Sequence, residues 1–197
     1  MIGLINKFLS KDENSSLFYP VFQRLKKNTE VEKIFKSISE FSEKSEVRYV
    51  GGCVRKIINQ EEVDDIDLAT NIEPKKVIEI LKKDNIEFHE IGVEHGTITA
   101  RINRQKFEIT SLREDISTDG RHAKVEFSDN WHQDASRRDF TFNSIYADLN
   151  GNLFDPFNGK KDLEEGYINF IGNAEKRIQE DYLRILRYLR FYLNYSN

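Results

Sequence analysis

Cysteine occurs once in this sequence, at position 53, and methionine and tryptophan also occur once each among 197 residues. A single thiol excludes an intramolecular disulfide framework. The four histidines (His89, His95, His122, His132) lack the paired Cys/His spacing of a structural zinc site, so any bound metal is expected to be held by oxygen. Long apolar runs are missing too: nothing approaches the roughly 18 residues of a membrane span. The opening MIGLINKFLSKDENSS has too short an apolar stretch, and no small-residue cleavage site, for a secretory signal. The expectation is a cytoplasmic protein without membrane association. Positive charge is not in excess: 30 Lys and Arg against 34 Asp and Glu give a formal −4, which excludes a uniformly basic coat for nucleic acid. Basic residues bunch instead in RQK, in Arg137 and Arg138, and in KRIQEDYLRILRYLRFY, so a phosphate-binding surface is expected to be local and late in the chain.

What is present is the composition of a folded globular chain, 38% apolar and 12% aromatic, enough for one substantial core or two small ones. Val31, Ile34, Phe35 and Ile38 recur at helical spacing, which predicts helices between about residues 17 and 44. EVRYVGG predicts a strand ending in glycines, CVRKIIN a short helix, DDIDLAT a second strand, and PKKVIEILKK a helix with Pro74 in its first turn. IEFHEI, GTITARI and KFEITSLR alternate at period two and predict strands, the last two joined by a turn at INRQK. Residues 113–130 are polar and turn-rich and read as a mobile loop. WHQDASRRDFTFNSIYAD predicts a helix, YINFIG a short strand, and AEKRIQEDYLRILRYLRFYLNYSN one amphipathic helix. In that last helix Ile178, Tyr182, Ile185, Leu186, Leu189 and Leu193 form a stripe that is expected to need a packing partner. The fold class expected is α+β, a mixed sheet flanked by helices.

Chemistry concentrates in YVGGCVRKIINQEEVDDIDLATN, residues 49–71. Asp65 and Asp67 are two apart, so on a strand both carboxylates leave one face while Ile66 and Leu68 turn to the core and Asp64 points away. Two such carboxylates can hold one or two magnesium ions whose open positions suit phosphate oxygens, with Glu108 in KFEITSL as the expected third ligand. Gly51 and Gly52, with Arg55 beside them, offer backbone N–H groups and a guanidinium to a phosphate. Taken alone, a DxD is more often a solvated strand-edge pair. The neighbouring glycines and arginine favour the metal reading.

GGCVR and DDIDLAT resemble the first motif of the tRNA nucleotidyltransferase and bacterial poly(A) polymerase family, a branch of the DNA polymerase beta-like nucleotidyltransferases. Four more segments agree in order: TDGRHAKVEF with the family's loop, RRDFTFNS with its ribose-contacting motif, DPFNGKKDLEEG with its connecting motif and EDYLRILRYLRF with its nucleotide-selecting helix. The resemblance implies that Asp65 and Asp67 carry catalytic magnesium and that Gly51, Gly52 and Arg55 hold the triphosphate. It implies that Arg138 and Asp139 contact the incoming nucleotide, Asp139 accepting from the ribose 2′-OH with Asn143 in support. Asp181 and Arg184, three apart on a helix face, would read the base edge of C or A, and Arg187 would face the phosphates. Arg190 is expected at the surface or on RNA backbone. The implied reaction is addition of C and A to the 3′ end of tRNA from CTP and ATP. A poly(A), CC-only or A-only enzyme is the alternative, and a non-catalytic nucleotide- or RNA-binding module the alternative of another class.

The sequence departs from the family at Lys56, where GGxVRD is usual, which places positive charge near the triphosphate. Members also continue into helical regions that bind tRNA, so the expected division is an N-terminal helical segment (1–45), a catalytic head (46–172) and the start of a helical neck (173–197). A partner chain or a C-terminal RNA-binding domain is expected to cover the apolar stripe. A fragment, a split enzyme and an inactive copy all remain open.

Overall fold

The computed structural model describes residues 18–119 and 122–196. Helix α1 (residues 18–28) and α2 (Val31–Ser39) come first, and α2 buries Val31, Ile34, Phe35 and Ile38, the stripe read from its spacing. Residues 1–17 of the predicted N-terminal segment lie outside the described residues.

A seven-stranded sheet follows, with β1 (Val47–Val50), β2 (Ile66–Thr70), β3 (Glu87–Gly92), β4 (Thr97–Ile102), β5 (Gln105–Ser111), β8 (Tyr146–Ala147) and β9 (Leu153–Phe154) in the order β3-β4-β5-β2-β1-β8-β9. Five neighbouring pairs are antiparallel, and β2 runs parallel to β5. The sheet is mixed, as expected. Asn103 and Arg104, with φ of 47° and 69°, close the β4–β5 hairpin in two residues, the conformation whose twist suits a tight hairpin.

Helices α3 (Gly52–Ile58) and α4 (Pro74–Lys83) join α2 over one face, where Val54, Ile57, Val77 and Leu81 meet Leu68, Ile98, Phe107 and Ile109 in the main core. Alternation along β2 sends Ile66, Leu68 and Thr70 to that core and Asp67 to the other face. A smaller cluster, Val50, Ala69, Leu112, Ala135 and Tyr146, forms separately, with Trp131 packed on it.

Five expectations are corrected. Residues 113–130 do not form an irregular loop: β6 (Arg113–Asp119) and β7 (His122–Phe127) pair as an antiparallel ribbon, with Gly120 and Arg121 of the loop motif outside the described residues. The helix expected over 131–148 stops after one turn and a half, as α5 (Trp131–Ser136), because Phe140 and Phe142 turn into the core and Tyr146 pairs with Val50 of β1. YINFIG contributes only an isolated bridge, Phe170 to Phe140. Strand β2 begins at Ile66, so Asp65 stands just outside the strand and is exposed, near enough to Asp67 for the two charges to interact.

The last correction is a break. Between α6 (Gly159–Glu165) and the last described residue lie two helices, α7 (Ala174–Glu180) and α8 (Leu183–Tyr195), separated at Asp181, whose backbone is extended at φ −154°, ψ 107°. Neither glycine nor proline causes it. The Asp181 carboxylate accepts the Leu183 N–H at 3.0 Å, and its carbonyl accepts the Arg184 N–H at 3.0 Å, so a short polar side chain starts a new helix by capping it. Helix α8 docks through Phe191, which is 2% exposed, while Tyr182, Leu186 and Leu193 of the predicted stripe stand 70%, 62% and 83% exposed.

Candidate functional site

The end of β1, the start of α3, Asp67 of β2, the turn after α5, the break at Asp181 and helix α8 converge on one cavity of about 560 Å³. Gly51 makes the turn at φ +66°, a conformation that costs a side-chain-bearing residue and is open to glycine. Arg55, one turn into α3, is held from three sides. Its Nη1 donates to Asn143 Oδ1, its Nε donates to the Tyr195 hydroxyl at 3.3 Å, and its guanidinium lies 4.8 Å from the Phe191 ring centre. Two aromatic side chains of α8 thus hold an arginine of α3.

Asn130 caps α5 by accepting the N–H groups of His132 at 2.9 Å and Gln133 at 3.2 Å. The helix so started turns Asp134 inward, and Arg137, Arg138 and Asp139 follow at its exit. Asp139 accepts the Phe140 N–H at 2.8 Å, Asn143 Nδ2 at 2.9 Å and Arg187 Nε at 2.5 Å. Burial pushes its carboxyl up, but the Arg187 charge and those hydrogen bonds outweigh burial and leave it below the ordinary carboxylate range. On α8, Arg184 donates to Glu180 at 2.7 Å and to the Arg177 carbonyl at 3.0 Å.

Six arginines (55, 137, 138, 184, 187, 190) and three aspartates (67, 139, 181) line this cavity, so a chain of net negative charge keeps a locally positive pocket suited to a polyphosphate. Ten sequence-predicted site residues line it: Gly51, Gly52, Arg55, Asp67, Arg138, Asp139, Asn143, Asp181, Arg184 and Arg187. Asp65 and Glu108 do not. Asp181 and Arg184 do not share a continuous helix face, because Asp181 sits at the break, yet both face the cavity. Lys56 donates to Asp64 at 2.7 Å, which ties α3 to the segment leading into Asp65.

Glu108 is paired with Asp67 across the parallel β2–β5 register, and residues paired in this way project from the same face. Burial pushes the Asp67 carboxyl up, Glu108 and Asp65 add to the rise, and Arg138 and Arg55 offset only part of it. Among the described residues no three acidic, histidine or cysteine side chains converge closely enough to hold an ion by themselves. The donors fit magnesium in kind: Asp67, Glu108 and Asp65 offer hard oxygens with unbalanced negative charge beside a cationic pocket, and an ion held there would need further oxygen ligands from outside the chain.

Arg190, expected at the surface or on RNA backbone, is exposed and also lines the cavity, with its guanidinium 4.7 Å from the Phe191 ring centre. Arg137 of the basic pair lines it too. Asp134, which stands behind both Arg137 and Arg138, was not read from the sequence. The spacing of Asp134, three and four residues before the two arginines, was the available signal.

Residues 47–169 match the family model described as the poly A polymerase head domain. The chain is 49% identical over 160 residues to the human mitochondrial CCA tRNA nucleotidyltransferase 1, covering 80% of this chain and 37% of that protein. It is 42% identical over 145 residues to a CCA-adding enzyme of Oceanobacillus iheyensis, covering 73% and 35%. Among solved structures it resembles the Bacillus stearothermophilus CCA-adding enzyme in complex with CTP, with a TM-score of 0.75, 30% identity and coverage of 85% of this chain and 40% of that one. It also resembles a tRNA nucleotidyltransferase complexed with a primer tRNA and an incoming ATP analog, with a TM-score of 0.66, 28% identity and coverage of 83% and 46%. The chain spans little more than a third of the length of the curated relatives it matches.

Proposed function

The chain belongs to the poly(A) polymerase head-domain family, and from that premise we propose that it adds C and A nucleotides to the 3′ end of tRNA, taking them from CTP and ATP without a nucleic-acid template and releasing pyrophosphate. The observation that carries this reading is the arginine-lined cavity with Asp67 at its edge, in which ten residues of the resembling motifs meet. Relatives named for CCA addition, and solved relatives holding CTP or a primer tRNA with an ATP analog, support it.

Arg55, Arg138 and Arg187 receive the triphosphate, beside the small Gly51 and Gly52. Asp139, kept ionised by Arg187, accepts from the ribose 2′-OH, and Asn143 holds Asp139 in place. Asp181 and Arg184 offer an acceptor and a donor to the base edge. Asp67, with Asp65 and Glu108, would hold magnesium, which when bound sharpens the attacking 3′-hydroxyl and neutralises charge on the leaving group. The hydroxyl attacks the α-phosphate in line, and pyrophosphate departs among the arginines.

In this reading residues 46–172 are the catalytic head and 173–197 the start of a helical neck, and a C-terminal RNA-binding part or a partner chain covers the exposed face of α8. Location in the cytoplasm is proposed; the human relative is named as mitochondrial. No helix among the described residues is long and apolar enough to cross a membrane.

The test is incubation with magnesium, labelled CTP or ATP, and tRNA ending at the discriminator base, C or CC. Defined C and A addition, abolished in Asp67→Ala, supports the reading. Homopolymeric A tails point to the poly(A) alternative, and nucleotide binding with no addition points to a non-catalytic module.

A further inference from the structure

Asp134 is 1% exposed and is not among the residues that line the cavity, yet both of its oxygens are heavily bonded. Its Oδ1 accepts Arg137 Nε at 3.0 Å, Arg137 Nη2 at 2.8 Å and the Arg113 backbone N–H at 3.2 Å. Its Oδ2 accepts Arg138 Nε at 3.3 Å, Arg138 Nη2 at 3.0 Å and the Tyr146 hydroxyl at 2.6 Å. One carboxylate therefore grips two guanidinium forks, each by two N–H groups, and a phenol from the sheet.

A guanidinium is planar, so fixing Nε and Nη2 fixes where its third nitrogen points. For Arg138 that direction is Gly51: a Cβ built on Gly51 would lie 3.7 Å from Arg138 Nη1. The Tyr146 hydroxyl also accepts from Arg138 Nε at 3.1 Å, so the clamp is closed from the β8 side. Arg137 Nε donates in addition to the Arg113 carbonyl at 3.1 Å, which ties the root of the β6–β7 ribbon to the same carboxylate. Without Asp134 two adjacent arginines would repel each other and sample several rotamers, and the ribbon root would lose two anchors.

Resting on the nucleotidyl-transfer reading, we propose that Asp134 is a positioning residue for nucleotide binding: it touches no substrate, but through Arg138 and Arg137 it aims the cationic wall of the cavity at the triphosphate and locks the root of the ribbon beside it. A purely scaffolding carboxylate would change stability alone. A positioning carboxylate changes how tightly a triphosphate is held in protein that is still folded.

The experiment compares Asp134→Asn with the wild-type chain for CTP and ATP dissociation constants, for competition by inorganic tripolyphosphate, and for KM against kcat. Asp134→Asn keeps the side-chain shape and removes the charge, and the expected result is a loss of about tenfold in affinity for both nucleotides and for tripolyphosphate, with KM rising more than kcat falls. Tyr146→Phe removes one hydrogen bond to each partner and is expected to give a smaller loss in the same direction. Leu81→Ala, a core substitution on α4 outside the cavity, supplies a destabilised control that should bind nucleotide normally. Wild-type affinity in folded Asp134→Asn overturns the proposal, as does an equal affinity loss in Leu81→Ala. Should Asp134→Asn fail to fold, unchanged tripolyphosphate and nucleotide affinity in Tyr146→Phe overturns it instead. Failure of the wild-type chain to bind nucleotide overturns the functional reading itself, whereas wild-type binding with unaffected variants overturns only the role of Asp134.

Discussion

Two carboxylates, Asp139 lining the cavity and Asp134 behind its wall, remain ionised against burial because arginines face them. For Asp134, burial raises the carboxyl, and Arg138, Arg137 and the Tyr146 hydroxyl together bring it far below the ordinary range. A depressed carboxyl stabilises the fold fully above its unfolded value of about 3.9, and that stability is lost as pH falls toward the folded value. The wild-type chain is therefore expected to lose urea resistance steeply below about pH 4. Asp134→Asn should be less stable at neutral pH, by roughly 3–5 kcal/mol for one missing member of a buried ion pair, and should show a flatter acid limb. Urea midpoints measured from neutral pH downward check both statements. The sequence displayed Asp67, the glycines and RRD openly, because chemistry demands those residue types at those spacings. It hid Asp134, since a carboxylate three and four residues before two arginines has the same spelling on a solvated helix face as in a buried clamp.

Element boundaries were legible where one periodicity governs a segment, as in α2, α4 and the β4–β5 hairpin, and illegible where tertiary contacts cut across it. The helix expected to run through RRDFTFNS ends early because Phe140 and Phe142 leave the local pattern to pack with Phe191, at ring-centre distances of 5.3 and 5.1 Å. The break between α7 and α8 carries no glycine or proline to announce it. It depends on the Asp181 cap, and on Phe191 and Arg187 pulling α8 onto the head. Phe191 is the one buried residue of α8. Phe191→Ala is therefore expected to weaken the docking of this helix by about 3–5 kcal/mol. Hydrogen exchange should report it as faster exchange confined to residues 183–195, with the sheet amides unchanged, and nucleotide affinity should fall as Arg55 loses its aromatic support. Uniform acceleration across the sheet would contradict the local account.

At the scale of the whole molecule, the mixed α+β head was readable because its strands and helices alternate with distinct periods, while the direction in which α8 shows its apolar residues was not. Tyr182, Leu186, Leu189 and Leu193 stand at least half exposed together, a contiguous apolar face of the kind that seeks a partner. Replacing Leu186 and Leu193 with lysine is expected to leave the melting temperature within a few degrees, reduce binding of an apolar dye, and lower any self-association seen by sedimentation. A large fall in melting temperature would show that these side chains already pack within the chain. The strand order has another consequence, for the time course of synthesis. Val50 pairs with Tyr146, and Asp139 with Arg187, so the cavity is stitched from segments that leave the ribosome far apart in time. The β4–β5 hairpin can close as soon as it emerges, but the arginine-lined cavity is complete only after α8 has been made, so under the proposed function shorter nascent chains cannot hold a nucleotide in it.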